Sequence, residues 1–314
     1  MMKVQKLRVL NLEETASVID KIQQSINKFG SKPEQNVYYY LNDSSKNTKN
    51  MLFDFGGDKL ILASYNESLN VWYLFPSGIL APEEDSLSAL LQFCYHCLEA
   101  RRCKKIVMEV EDGLFHQFKA ELKKEAFSMF KILNINQIYY WPVIDLSSWD
   151  CNLKGKRWRK LRKMKNKFYK NKNIRNVPSM EFSKSALKKI VFDWKQNRKG
   201  SDRANSTLYL NFIDNGFLGV DYAMSICLDN EPCSISAGWR IPNTNSFYSS
   251  IMLHNYKING LGEVMYLESL NELKNMKFDS VDLGGSDKDL LLFKQKFQPS
   301  YKYKTLEFSI KVHD

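Results

Sequence analysis

The stretch FYSSIMLHNYKINGLGEVMYLESL, Phe247 to Leu270, hands a strand over to a helix through Lys257-Ile-Asn-Gly-Leu-Gly262. At such a junction the backbone N–H groups of the first helical turn point into free space, and the helix dipole favours an anion. A phosphate or pyrophosphate fits there. Gly260 and Gly262 let it approach the main chain, Lys257 adds a point charge, and Asn259 and Leu261 complete the segment. A plain tight turn gives the same pattern, because G-x-G alone is common.

Working outward, strands are predicted at Val220 to Leu228, Cys233 to Arg240 and Ser246 to Leu253, joined by the turns DNEP and PNTN. A helix from Gly260 to Lys277, a strand Ser280 to Leu283, a helix Asp287 to Lys296 and a strand Lys302 to Ile310 follow. The first half repeats that order. Its strands are Met51 to Phe55, Lys59 to Ser64 and Val71 to Phe75, then a helix Ser86 to Ala100, a strand Lys105 to Val110, a helix Leu114 to Lys124 and a strand Ile138 to Ile144. Before them lie a helix near Glu13 to Phe29 and a polar linker, SKPEQN to SSKNTKN. With 314 residues there is room for about two domains. The expected division is 1–150 and 151–314, an α/β (α+β) chain of two similar units.

Charge is concentrated at the join. Lys154 to Lys172 holds eleven Lys and Arg and no acid, and the whole chain has a net charge of +11. Trp158, Leu161, Met164, Phe168 and Tyr169 recur at helical spacing, which predicts a docked amphipathic helix. Its unopposed cations, Lys156, Arg157, Arg159, Lys160, Arg162 and Lys163 among them, suit a polyanion: RNA, a nucleotide-bearing cofactor or an anionic lipid surface. A solvated helix that keeps the protein soluble is the plainer alternative.

No run of 18 apolar residues exists and the N-terminus lacks a signal-peptide core, so the expected location is the cytoplasm, with peripheral membrane contact through the basic helix as an option. Cys94, His96, Cys97 and Cys103 invite a zinc reading, yet Cys94 and Cys97 share a face with Leu87, Leu90, Leu91 and Leu98, and no second ligand pair follows. No metal is expected.

K-x-x-G-x-G between strand and helix resembles the acyl-donor loop of the GNAT acyltransferase superfamily, with Lys257 where Arg or Gln is usual. Val281 to Phe308, VDLGGSDKDLLLFKQKFQPSYKYKTLEF, is similar to the closing segment of the phosphatidylglycerol lysyltransferase C-terminal domain family and of the related Fem-type aminoacyltransferases. Lys154, Gly155 and Arg162 fit that family's K-G-x-x-x-x-x-x-R stretch. The resemblance implies tandem GNAT-like domains, each a mixed, mostly antiparallel twisted sheet flanked by helices. It implies an acyl or aminoacyl transferase in which only the second unit keeps a donor loop. The first unit, around Pro76, Ser77, Gly78 and Pro82, then serves as scaffold or acceptor-side wall.

Such transfer needs a held donor, a stabilised oxyanion and proton removal from the nucleophile. The resemblance implies a Lys near the reacting carbonyl, here Lys294. An exposed lysine beside a buried Phe293–Phe297 pair is the alternative. Asp282 could orient an acceptor amine or simply end its strand; Tyr248 and Tyr256 could protonate a leaving group or be ordinary strand aromatics; His254 could act as a base or be a turn residue. Ser286 with Asp289 reads as a capping box. Aminoacyl-tRNA and acyl-CoA are the candidate donors, neither tightly bound. The acceptor is a small molecule, a peptide or a lipid. A non-catalytic RNA- or membrane-surface-binding protein on the same scaffold is the rival class.

Overall fold

The computed structural model of the chain describes residues 7–12, 16–43, 47–170, 173–197 and 206–313. The first three residues of the helix expected from Glu13, and the last two of the basic run, lie outside them. The first half contains β1 (Arg8–Asn11), α1 (Ala16–Phe29), α2 (Val37–Asn42), β2 (Thr48–Asp54), β3 (Leu60–Asn66), β4 (Val71–Leu80), α3 (Glu83–Tyr95), β5 (Lys105–Glu111), α4 (Asp112–Glu121) and β6 (Phe130–Asp145). The second contains α5 (Arg159–Tyr169), β7 (Ile174–Pro178), α6 (Lys184–Asn197), α7 (Ser206–Asp214), β8 (Tyr222–Leu228), β9 (Glu231–Pro232) and β10 (Ser234–Arg240). It continues with β11 (Ser246–His254), α8 (Leu261–Asn275), β12 (Ser280–Asp282), α9 (Lys288–Lys294) and β13 (Tyr301–Val312). The helix expected over Ser86 to Ala100 starts earlier, at Glu83, and widens into a π turn over His96–Ala100.

These strands form one sheet in the order β1-β2-β3-β4-β5-β13-β6-β12-β11-β10-β8-β7, with β9 on β8. Pairing is antiparallel except for β4 with β5 and β11 with β12. Each parallel pair runs together for three residues and then parts, after Tyr73–Val107 in the first case and Tyr248–Asp282 in the second. Strands that separate at their carboxyl ends leave a crevice, the usual ligand position in open sheets. The sheet's centre is an exchange. β13, the last strand of the chain, pairs with β5 of the first half, while β6 of the first half pairs with β12 of the second. β6 and β13 in turn pair with each other from Val143–Tyr301 to Phe130–Val312.

Hydrophobic patterning explains why both faces are covered. β3 and β10 are buried along almost their whole length and need a layer on each side. One face packs under Ile22, Tyr40, Trp194 and Phe212 of α1, α2, α6 and α7, in a core that includes Leu60, Phe75, Trp141, Trp239 and Tyr248 from both halves. The other face is covered in two parts: Phe93 and Phe118 over the first half, and Trp158, Phe168 and Leu267 over the second.

Candidate functional site

The polar segment expected to be a linker is instead a brace. Gln35 accepts the amides of Ser31 and Lys32 at 2.7 and 2.8 Å, and its amide nitrogen donates to the Ser77 and Ile79 carbonyls of β4 at 3.3 and 3.2 Å. Asn36 caps α2 and donates to the Gly219 carbonyl at 2.8 Å, while the Trp239 indole of β10 donates to the Pro33 carbonyl at 2.8 Å. Gln35 and Asn36 both find backbone partners, so composition alone misleads here. The brace joins the two halves and carries Glu34 inward, 7% exposed.

Around Glu34 the exchanged strands assemble a buried polar cluster. The Tyr248 hydroxyl of β11 lies 3.5 Å from Glu34 Oε1, and Ser77 Oγ lies 3.4 Å from Oε2. The Tyr303 hydroxyl of β13 donates to Asp282 Oδ2 at 2.7 Å, and the Gly284 amide donates to Oδ1 at 2.8 Å. The Trp141 indole of β6 donates to Thr305 Oγ1 at 2.9 Å, and the Thr305 hydroxyl donates to Glu109 Oε1. Burial raises all three carboxyl groups. Glu34 is pushed well above the usual range, first by desolvation and then by the charges of Glu109 and Asp282. Desolvation lifts Glu109 to about 7 and Asp282 to about 6.

Cavities meet at this cluster. A cavity of about 750 Å³ follows the β11–β12 separation, lined by Tyr248, Ser249, His254, Tyr266, Gly284 and Lys294. A second, of about 450 Å³, follows the β4–β5 separation under Lys32, Gln35, Ser77 and Glu111. Glu34, Glu109 and Trp141 line both. A third, of about 710 Å³, reaches Asp282 and Tyr303 from the side of Tyr301 and Lys304. A carboxyl group raised to about 7 where two cavities meet, as Glu109 is, can receive a proton from a nucleophile.

Lys294, Asp282 and Tyr248 therefore come together. Lys294 is buried, not exposed as the plainer alternative had it, and its ammonium donates to the Leu283 carbonyl at 2.5 Å, the Gly284 carbonyl at 3.0 Å and Ser286 Oγ at 2.9 Å. These bonds hold the turn after β12 in shape. Ser286 is not the helix cap. That position is Asp287, whose side chain accepts the Leu290 amide at 2.8 Å, while Ser286 is buried and donates to the Gly284 carbonyl. Burial pushes His254 down to about 4, so its imidazole is neutral at neutral pH and a weak base. Tyr256 lies on the cavity rim, 44% exposed.

Lys257, Asn259, Gly260, Leu261 and Gly262 form the strand-to-helix loop, with Gly260 at φ 84° as the N-cap of α8 and no side chain capping that turn. None of these five lines the three cavities described. The glycines allow close packing instead. A Cβ on Gly260 would stand 3.1 Å from Met164 Sδ of the basic helix, and one on Gly262 would stand 2.9 Å from the His254 ring. Leu261 is fully buried.

The basic helix docks on α8 through Trp158, Leu161 and Phe168, with Met164 half-buried and Tyr169 at the edge. Trp158 packs edge-on against Trp149, and Lys165 pairs with Glu268 at 3.3 Å. Lys156, Arg157, Arg159, Lys160 and Lys163 are exposed. Arg162 is turned inward and donates to the Leu153 and Gly155 carbonyls. Cys94, Cys97 and Cys103 are buried in the first-half core, and burial raises all three thiols.

Residues 44–305 match the family described as "Phosphatidylglycerol lysyltransferase, C-terminal". The chain belongs to this family. Among solved structures, this lysyltransferase-family chain is similar to a conserved protein of unknown function from Bacteroides thetaiotaomicron VPI-5482, with 13% identity over 97% of this chain and 100% of that one and a TM-score of 0.65. L-PGS from Bacillus licheniformis follows, with 11% identity, 92% and 91% coverage and a TM-score of 0.62. A tandem GNAT protein from the clavulanic acid biosynthesis pathway gives 10% identity, 98% coverage of both chains and a TM-score of 0.57. These likenesses are of fold, and the fold is GNAT-like. No curated protein sequence matches the chain. Family membership makes it a transferase domain, and none of its described helices is long and apolar enough to cross a membrane.

The sequence reading missed Glu34 and Glu109. Glu34 sits in a polar stretch that resembles a loop, and Glu109 is one alternating position of a strand; neither carries a local signal of burial beside another acid. Glu34 also precedes the family match, which begins at residue 44.

Proposed function

We propose that the chain transfers an aminoacyl group from a tRNA to a nucleophile by direct attack, at the junction marked by Glu34, Glu109 and Trp141. The observation that carries the proposal is that junction: a buried Glu34 and a half-buried Glu109, both raised by desolvation and Glu109 to about 7, shared by two cavities that follow the two strand separations. The donor's aminoacyl end occupies the larger cavity beside β11, and the nucleophile loses its proton to the cluster as it attacks. Tyr248, buried against Glu34, is placed to protonate the leaving oxygen. Lys294 acts by holding the Leu283–Gly284 turn that walls this cavity.

Support for a tRNA carrier comes from the exposed cations of α5 on the same side as α8, a surface that suits a phosphate backbone. The first turn of α8 has no side-chain cap, a feature that suits a phosphate, and this keeps acyl-CoA as the second reading although Met164 and His254 pack closely against its glycines. Titration of the protein with charged tRNA and with coenzyme A, each at two salt concentrations, tests the choice. Saturable tRNA binding that weakens steeply with salt is expected. Binding of coenzyme A alone would move the assignment to the second reading.

A further inference from the structure

The smaller cavity has a sign. Four carboxyl groups line it, Glu34, Glu83, Glu109 and Glu111, of which Glu34 is held in its protonated form by burial, beside two ammonium groups, Lys28 and Lys32. Both lysines already face carboxylates, Lys28 with Asp58 at 2.9 Å and Lys32 with Glu111 at 2.5 Å. An anionic phosphodiester brought to this mouth finds no uncommitted cation among the described lining residues. A cation meets the two acids at the inner end, Glu34 and Glu109, whose ionised forms it stabilises.

Two side chains at the cavity's inner end are short of donors. Glu34 is 7% exposed, yet its oxygens are approached among the described residues only by Ser77 Oγ at 3.4 Å and Tyr248 Oη at 3.5 Å, beyond the roughly 2.5–3.0 Å of an O–H···O bond. Glu109 has one oxygen held by Thr305, which the Trp141 indole orients in turn. No described residue donates to its other oxygen. Both acids line the cavity, so a donor arriving through it completes them.

We infer that the acceptor is a primary amine, which enters as an ammonium through the cavity between residues 28–35 and the β4–β5 separation and is received by Glu34 and Glu109. The inference rests on the transfer reading above and names its acceptor. Glu109 as carboxylate takes one ammonium proton. The freed amine attacks the ester carbonyl of the donor, the new C–N bond forms and the C–O bond to the carrier breaks. The amine's second proton leaves with the carrier's hydroxyl. Desolvation of Glu109, which lifts it to about 7, makes it a competent proton acceptor near neutrality. Glu34 lies ahead of the family-matched residues 44–305.

The test measures binding first and transfer second, on the full chain. Saturation-transfer NMR with 1,5-diaminopentane, with its diol analogue pentane-1,5-diol and with the tripeptide Ala-Lys-Ala reads the cavity without any donor present. Glu109→Gln, Glu34→Gln and the remote, exposed Glu125→Gln are compared, each checked for an intact thermal transition. The expected result is diamine binding at least tenfold tighter than diol binding, weakened at least tenfold by E109Q and by E34Q and unchanged by E125Q. Binding of the tripeptide as well extends the acceptor class to peptide amines, and its exclusion restricts the class to small molecules. Equal binding of diamine and diol, or indifference to both variants, overturns the inference. In the second arm, charged tRNA is offered with diaminopentane or with phosphatidylglycerol vesicles. Transfer to the vesicles alone overturns the amine acceptor and leaves the transfer reading standing. Amine binding without transfer from tRNA to either acceptor sinks the transfer reading instead.

Discussion

Glu34 Oε1 and the Tyr248 hydroxyl lie 3.5 Å apart, although 214 residues separate them in the chain. One comes from a brace ahead of the family-matched region, the other from the strand that parts from β12 at that residue. Their meeting closes the inner end of the larger cavity and sets the environment in which every buried acid of the site titrates.

The acids make stability pH-dependent. Glu109 faces Glu307 of β13, Thr305 and, across the junction, Glu34, which in turn faces Asp282; desolvation raises Glu109 to about 7 and Asp282 to about 6. A carboxyl group with a raised folded-state pKa keeps its proton in the native state after the unfolded chain has lost it, so the Glu109 contribution to stability falls as pH rises between about 4.3 and about 7 and then levels. Glu109→Gln and Glu34→Gln should therefore raise Tm at pH 8 and have little effect at pH 4.5. Differential scanning calorimetry at the two pH values checks this, and an equal effect at both would contradict it.

Lys294 should matter for stability as well as activity. Lys294→Met removes donors from two buried carbonyls and a buried hydroxyl, a loss of about 3–5 kcal/mol by analogy with breaking a buried charged pair. Urea unfolding should show the lower midpoint with an unchanged slope. A variant of native stability would mean that the turn holds itself.

The cations of the basic run divide into two groups. Lys156→Glu, Arg159→Glu and Lys163→Glu alter exposed side chains and should weaken tRNA binding while shrinking its log-salt slope by about one for each phosphate left without its cation. Arg162→Ala should behave differently, with loss of the Leu153–Gly155 turn and a lower Tm, because its guanidinium is committed to those carbonyls. Filter binding at several salt concentrations, beside thermal melts, separates the two.

Gly260 sits at φ 84° with Met164 and Phe168 of α5 against it. Gly260→Val should cost about 1–3 kcal/mol from backbone strain and push α5 off α8. Increased exposure of Trp158, which Phe168 and Trp149 help to bury, would appear as a red-shifted emission. Native emission would show that the contact is dispensable.

Much of the fold was legible. Alternating Val, Ile and aromatic residues between Gly, Asn and Pro turns marked most strands of both halves, and the K-x-x-G-x-G segment marked the start of α8; β6 begins at Phe130 rather than Ile138, β4 runs on to Leu80 rather than Phe75, and β1 and β7 were not anticipated. The exchange of β6 and β13 was not legible, because periodicity reports which face of a strand is buried and says nothing of its neighbour. The site divided along the same line. Asp282, Tyr248 and Lys294 were found from a local segment, whereas Glu34 and Glu109 become functional only through contacts across the sheet. The donor loop was legible as a turn, but its glycines answer to Met164 and His254, which no spacing rule connects to them.

The most direct test is single-turnover release of radiolabelled aminoacyl groups from a charged tRNA pool by the full chain in the presence of 1,5-diaminopentane. The account predicts that the wild type releases them as aminoacylated amine, and that Glu109→Gln slows release by about 100-fold or more, the usual share of a general base, with tRNA binding unchanged. Equal rates for the two proteins, or saturable tRNA binding with no release, would contradict it.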